Sequence, residues 1–107
     1  MELQETLNTL YNTRYILPEK FNVSSLAIFG DITYDNQKLD SDEEIDIIIS
    51  FKGESSTENF LAVMFYLESL LDTKIGLTTY QTLPTENNAK IHNELIHVWG
   101  ERKIALH

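Results

Sequence analysis

The chain contains no cysteine. That excludes a disulfide framework, a thiolate nucleophile and a cysteine-ligated zinc site. It also fits a reducing compartment, so a cytoplasmic location is expected. No run of roughly eighteen apolar residues occurs, and nothing in the sequence reads as a membrane span. Met1 to Thr9 is polar and acidic, without the basic and apolar regions of a secretory signal. Cations are scarce as well. Eight Lys and Arg stand against seventeen Asp and Glu, for a net charge of −9, and the eight are scattered along the chain. Such a surface repels phosphate backbones, so nucleic acid is not expected as a partner, and neither is a membrane. An acidic surface serves solubility and also suits a basic protein partner.

What remains is an ordinary globular composition, 42% apolar and 23% charged over 107 residues. A single domain spanning 1–107 is expected, large enough for a real but thin core. Leu3, Leu7, Leu10, Tyr11 and Tyr15 recur at helical spacing and predict an amphipathic helix from Glu2 to about Tyr15, ended by Pro18. Leu26-Ala27-Ile28-Phe29, closed by Gly30, reads as a buried strand. A polar stretch from Asp31 to Glu43 follows. Ile45 to Phe51 is β-branched and apolar, a second strand. Ser55 and Glu58 have the spacing of a capping box. Phe60, Val63, Met64, Leu67 and Leu71 then mark one face of a helix. Ile75 to Thr78 reads as a third strand, Pro84 and Asn87 as a turn, Ala89 to Leu95 as a short helix and Ile96 to Trp99 as a last strand. The class expected is α+β, a small mixed β-sheet backed by helices.

Three features carry chemistry, and all three concern the ends of strands. Gly30 lets the chain turn sharply after a buried strand and bring backbone N–H groups to a ligand. Glu44 and Asp46 flank Ile45. In a strand they share one face, while Ile45, Ile47 and Ile49 take the other. Two carboxylates on a rigid strand suit a divalent cation, which prefers oxygen ligands. The third strand could supply a further ligand, but its middle residue is Gly76. Plainer readings compete. Asp40, Asp42, Glu43 and Glu44 form a charge run, and such runs are usually solvated. Asp31 suits an N-cap of the following turn. His92 and His97 do not share a helical face. Trp99 reads as core.

With these residues in view, the sequence resembles the minimal nucleotidyltransferases of the polymerase-beta-like superfamily. Leu26 to Gly30 is similar to that family's first strand, Glu44 to Ile49 to its second, Phe60 to Leu71 to its helix and Lys74 to Thr78 to its third strand. Leu95 to Trp99 is similar to its closing strand. The resemblance implies a nucleotidyltransferase-like fold with the strands carrying Gly30, Asp46 and Gly76 side by side. It implies Glu44 and Asp46 as catalytic and metal residues, and Gly30 and Asp31 as nucleotide-binding positions, with Mg²⁺ as the cofactor if the site is active. An alternative register would use Asp42 and Glu44.

The chain also departs from the family pattern. Asp31 stands where the family has a serine that holds phosphates, and Tyr34 where it has a loop arginine. Glu44 is one methylene longer than the usual Asp. Gly76 stands where the third acid, often the general base, should be. The resemblance therefore implies a domain with an eroded active site, a pseudoenzyme acting antitoxin-like by binding a HEPN-type ribonuclease toxin. Two alternatives stand beside it. One is an active Mg²⁺-dependent nucleotidyltransferase that uses a nucleotide on a protein or small molecule. The other is an unrelated α+β interaction module. Homo-oligomer formation is left open.

Overall fold

A computed structural model describes residues 3–29, 45–80 and 95–100. The elements run α1 (Leu3–Asn12), a 3-10 turn (Thr13–Tyr15), α2 (Leu17–Phe21), β1 (Val23–Phe29), β2 (Ile45–Phe51), α3 (Thr57–Leu71), β3 (Ile75–Thr79) and β4 (Leu95–Gly100). The four strands form one sheet in the order β3-β2-β1-β4. β1 pairs antiparallel with β2 and β4, and β2 pairs parallel with β3. The sheet is therefore mixed, as expected. Among the described residues, no helix is long and apolar enough to cross a membrane.

β2 occupies an interior position, and its sequence explains why. Ile45, Ile47 and Ile49 are buried in one cluster with Leu10 of α1, Leu17 of α2 and Val63, Leu67 and Leu71 of α3. Ile48 and Ser50, on the opposite face, are buried too. A strand buried on both faces reads as a continuous β-branched run, not as an alternation. Fully burying one such side chain contributes about 1.5–3 kcal/mol, so this strand anchors the core. The hydroxyls of Ser24 and Ser25 each bond that of Ser50, at 2.7 and 2.5 Å. That satisfies the polar groups the strands carry inward.

α3 links the parallel strands β2 and β3, a connection that needs a crossover element. Val63, Leu67 and Leu71 are buried, and Phe60 and Met64 pack beside them, so the expected stripe is the core face. The cap lies one residue later than the spacing of Ser55 and Glu58 predicts. Ser56 is the N-cap, and its Oγ accepts from the Asn59 backbone N–H at 3.0 Å. The Asn59 amide explains the shift. Its Nδ2 donates to the Phe21 carbonyl at 2.7 Å and to Ser55 Oγ at 2.9 Å, tying this helix start to the end of α2.

The N-terminal helix differs from expectation in two ways. Pro18 does not end it. The helix stops at Asn12 through the 3-10 turn, and Pro18 sits in the first turn of α2, where its missing N–H costs nothing. The buried face keeps Leu10, with Leu7 packed beside the core, but not the two tyrosines of the expected stripe. Thr6, Leu10, Thr13 and Leu17 are buried, whereas Tyr11 is 47% and Tyr15 66% exposed. Two threonines hold core positions because their polarity is absorbed. Thr13 Oγ1 donates to the Leu10 carbonyl at 2.5 Å and accepts from the Trp99 indole N–H at 3.0 Å. The same indole N–H also reaches the Leu10 carbonyl at 3.1 Å. Trp99 is thus core, as expected, and stitches β4 to α1. At the other corner, Asn22 caps α2 in the left-handed conformation. Its Nδ2 donates to the Lys52 carbonyl and its own carbonyl accepts from the Lys52 N–H, both at 2.9 Å.

β4 begins at Leu95, so the last residue of the expected Ala89–Leu95 helix is strand; residues 89–94 and the Pro84/Asn87 turn lie outside the described residues. The strand ends at Gly100, whose φ is +91° and whose absent Cβ would stand 2.2 Å from the Ser24 carbonyl oxygen. Gly53 has a similar φ of +90°, but a methyl there would meet nothing within 4 Å. Gly100→Ala should therefore cost about 2–4 kcal/mol in urea denaturation, and Gly53→Ala only about 1 kcal/mol of backbone strain. Equal costs at the two positions would show that the close approach to Ser24 does not constrain the fold.

Candidate functional site

The site expected from the sequence lies where β1 ends and β2 begins. Antiparallel pairing sets Phe29, the last residue of β1, opposite Asp46. Parallel pairing sets Gly76 of β3 opposite Asp46 on the other side. The three strands thus stand side by side in the expected order, with Asp46 on the middle one. Asp46 is half-buried, while its neighbours Ile45 and Ile47 are fully buried. Alternation places the carboxylate on the face opposite the helix-packed isoleucines. Gly30, Asp31 and Glu44, the other expected site residues, lie outside the described residues, as do Tyr34 and the alternative Asp42.

Gly76 is the informative neighbour. Cross-strand partners in a sheet have their Cβ positions about 4.5–5.5 Å apart. A carboxylate at position 76 would stand directly beside that of Asp46. Glycine offers only backbone there, and the next residue of β3 on that face is Thr78, opposite Ile48. A divalent cation accepts carboxylate oxygens, so Asp46 has the right donor chemistry for Mg²⁺. One carboxylate is too few to hold the ion, however. Among the described residues, no cluster of three acids or histidines comes together, so the fit depends on Glu44.

Two cavities stand out among the described residues, and both lie away from Asp46. One of about 950 Å³ opens between the ends of β2 and β3 and the start of α3. The other, about 590 Å³, lies between the 3-10 turn and the far ends of β1, β2 and β4. Sequence spacing alone did not point to the second. Its one visible signal is Arg14, three residues after Tyr11 and next to Tyr15. His97, read as a surface or partly buried histidine, is half-buried on β4, with Nε2 2.8 Å from the Gly100 carbonyl oxygen.

No family model matches the chain. Individual proteins do. MJ1217 of Methanocaldococcus jannaschii, which carries a provisional protein adenylyltransferase name, is 34% identical over 97 residues, covering 90% of this chain and 97% of its own. Protein adenylyltransferase MntA of Thermococcus cleftensis is 28% identical over 98 residues, covering 92% and 97%. Among solved structures, a provisionally assigned minimal nucleotidyltransferase superposes with a TM-score of 0.73 at 19% identity, over 90% of this chain and 95% of that one. A chain from the complex of a tri-AMPylated Shewanella oneidensis HEPN toxin with its MNT antitoxin superposes with a TM-score of 0.63 at 15% identity, over 89% and 73%. These likenesses in structure establish the shared fold.

The strand itself offers a test of Asp46. Ile47→Ala should cost about 2–5 kcal/mol in urea denaturation, as a large-to-small change in a packed core does. Asp46→Asn, one residue away, half-buried on the opposite face and nearly unchanged in shape, should cost less than about 1 kcal/mol. A loss at Asp46 as large as that at Ile47 would make the carboxylate a structural group and remove it from the candidate site.

Proposed function

The chain belongs to the minimal nucleotidyltransferase family, and on that footing we propose that it acts by binding a HEPN-type protein partner, with a nucleotide-transfer site too depleted to turn over. The observation that carries the depletion is the pairing of Asp46 with Gly76. Nucleotide transfer needs an attacking hydroxyl oxygen to bond the α-phosphorus, the α–β bridging bond to break and pyrophosphate to leave. The hydroxyl proton must pass to a base within hydrogen-bond reach. Glycine cannot take it. Asp31, in place of a hydroxyl that would hold phosphates, adds repulsion of roughly 1–4 kcal/mol per charge pair at surface-like dielectric.

Two observations favour a protein partner. The fold matches that of a complex described as a HEPN toxin with an MNT antitoxin. The chain also presents an acidic, partly apolar helix face. Leu61 is 39% and Phe65 61% exposed on α3, and one turn separates them on the same side. Glu58 and Glu68 continue that stripe at helical spacing. An apolar anchor flanked by carboxylates fits a basic partner surface.

The names of the relatives favour a second reading, an active adenylyltransferase. Asp46 and Glu44 would then hold Mg²⁺, which when bound supplies charge neutralisation for the phosphates, and Asp31 or Asp42 would have to replace the missing acid. Two measurements separate the readings. A ligand at about a hundred times its Kd stabilises a fold by about 2.7 kcal/mol. Millimolar Mg²⁺ and ATP should give no such metal-dependent rise in melting temperature. On co-expression with a HEPN-type toxin, Asp46→Asn should rescue growth as well as the unaltered chain does. A metal-dependent rise that Asp46→Asn abolishes, together with loss of rescue, would replace the binding reading by the enzymatic one.

A further inference from the structure

We propose that the 590 Å³ cavity at the far end of the sheet is a binding site for a small organic oxyanion, a carboxylate or phosphate carried on a planar apolar body. The cavity is walled by Tyr15, Pro18, Val23, Phe51 and Trp99, with Arg14 and Lys52 at its edge. Its volume lies within the range of about 300–1,000 Å³ typical of small-molecule sites, which pair apolar walls with a few placed polar groups.

Charge is the first argument. The chain carries seventeen acids and eight Lys and Arg. Yet two of those cations meet at this cavity, and none of its described lining residues is Asp or Glu. The described contacts of the Arg14 guanidinium are to the Tyr11 carbonyl, the Tyr15 hydroxyl and the two tyrosine rings, none of them acidic. Two cations around one hollow, with no acid among its described lining residues, make a positive spot on a chain whose net charge is negative.

Preorganisation is the second. The Arg14 guanidinium lies 3.6 Å from the centre of the Tyr11 ring and 4.1 Å from that of Tyr15. Its Nη1 donates to the Tyr11 carbonyl at 2.9 Å, and its Nη2 donates to the Tyr15 hydroxyl. Two of its five N–H groups are thereby committed, and the guanidinium lies against both tyrosine rings. The remaining donors are fixed in a fork that matches a carboxylate or phosphate, with little rotamer freedom left to lose on binding. This also accounts for the exposure of Tyr11 and Tyr15, which face outward to clamp the arginine instead of joining the core.

The site is separate from Asp46. Asp46 is the second residue of β2 and Phe51 the last, and at about 3.3 Å per residue the two lie roughly 17 Å apart. The cavity also holds its own reporter. Trp99 is the one tryptophan of the chain, lines the cavity and is 6% exposed.

The experiment titrates the whole chain with phenyl phosphate and with phenylacetate, in EDTA and without ATP, following Trp99 emission. At least one probe should give a saturable change. Benzyl alcohol, which lacks the charge, and inorganic phosphate, which lacks the apolar body, should bind about tenfold more weakly or not at all. Arg14→Gln and Lys52→Gln should each weaken the better probe, Arg14→Gln by about tenfold, as loss of a charge-assisted hydrogen bond does. Asp46→Asn should leave it unchanged. Lys52 is exposed, so its substitution tests the charge without risk to the fold. No saturable change with either probe would overturn the proposal. So would binding that survives both neutral variants, or binding that Asp46→Asn abolishes.

Discussion

The structure depends on the register of β2. Its side chains alternate, so a slip of one residue would carry Asp46 from its half-buried place on the opposite face into the apolar layer under α3. That layer is made by Leu10, Leu17, Val63, Leu67 and Leu71 with Ile45, Ile47 and Ile49. An unpaired carboxylate there costs several kcal/mol, against a total stability for a domain of this size of only about 5–15 kcal/mol. The slip is therefore excluded by the same residue that makes the strand chemically interesting. The hydroxyl trio of Ser24, Ser25 and Ser50 and the two-way bond between Asn22 and Lys52 pin the far end of the strand in the same register.

Once β2 is placed, the rest of the site follows from connectivity. The crossover through α3 returns the chain parallel to β2. The helix needs a firm start and stop for the strands to align, and Ser56 provides the first while Asp72, in the left-handed conformation at the C-cap, provides the second. The Glu68 carboxylate accepts from the Ile75 N–H at 3.3 Å and leads the chain into β3. Gly76 then falls opposite Asp46. Glycine at that position presents only backbone to Asp46. The side chains that flank Asp46 on its own level of the sheet are therefore set by residue identity at positions 29 and 76, on a nucleotidyltransferase-like fold.

Most of the architecture was legible because its strongest signals are apolar and periodic. Ile45 to Phe51 could only be a buried strand, and Phe60 to Leu71 only a helix with one core face. The family resemblance added the strand neighbours, which no periodicity reveals. The errors came from polar residues holding structural positions. Thr6 and Thr13 share the buried face with Leu10, and the Thr13 hydroxyl is bonded to the Leu10 carbonyl and the Trp99 indole, whereas Tyr11 and Tyr15, at equally regular spacing, are exposed. Pro18 stops a helix only when it lies inside one; at the start of α2 it is compatible with helix. Ser55 and Ser56 are equal as sequence and differ only through Asn59, whose partner Phe21 is distant along the chain. At the site, Asp46 and Gly76 were legible as neighbours through the resemblance alone. The cationic cavity was not legible, because its residues come from separated segments of the chain.

The sheet thus carries two chemically opposite ends. A carboxylate stands at the start of β2, and an aromatic-clamped arginine and a lysine stand beyond its finish. The length of β2 from Asp46 to Phe51, roughly 17 Å, is about twice the screening length of about 8 Å at physiological salt, so charges at its two ends tune each other little through solvent. β2 itself is the only short covalent route between them, and it is buried on both faces and hydrogen-bonded on both edges. A strand so held transmits a displacement poorly without disturbing the core around it. The acidic end and the cationic end are consequently independent devices on one scaffold. A change in the chemistry at the first would therefore place no constraint on ligand binding at the second.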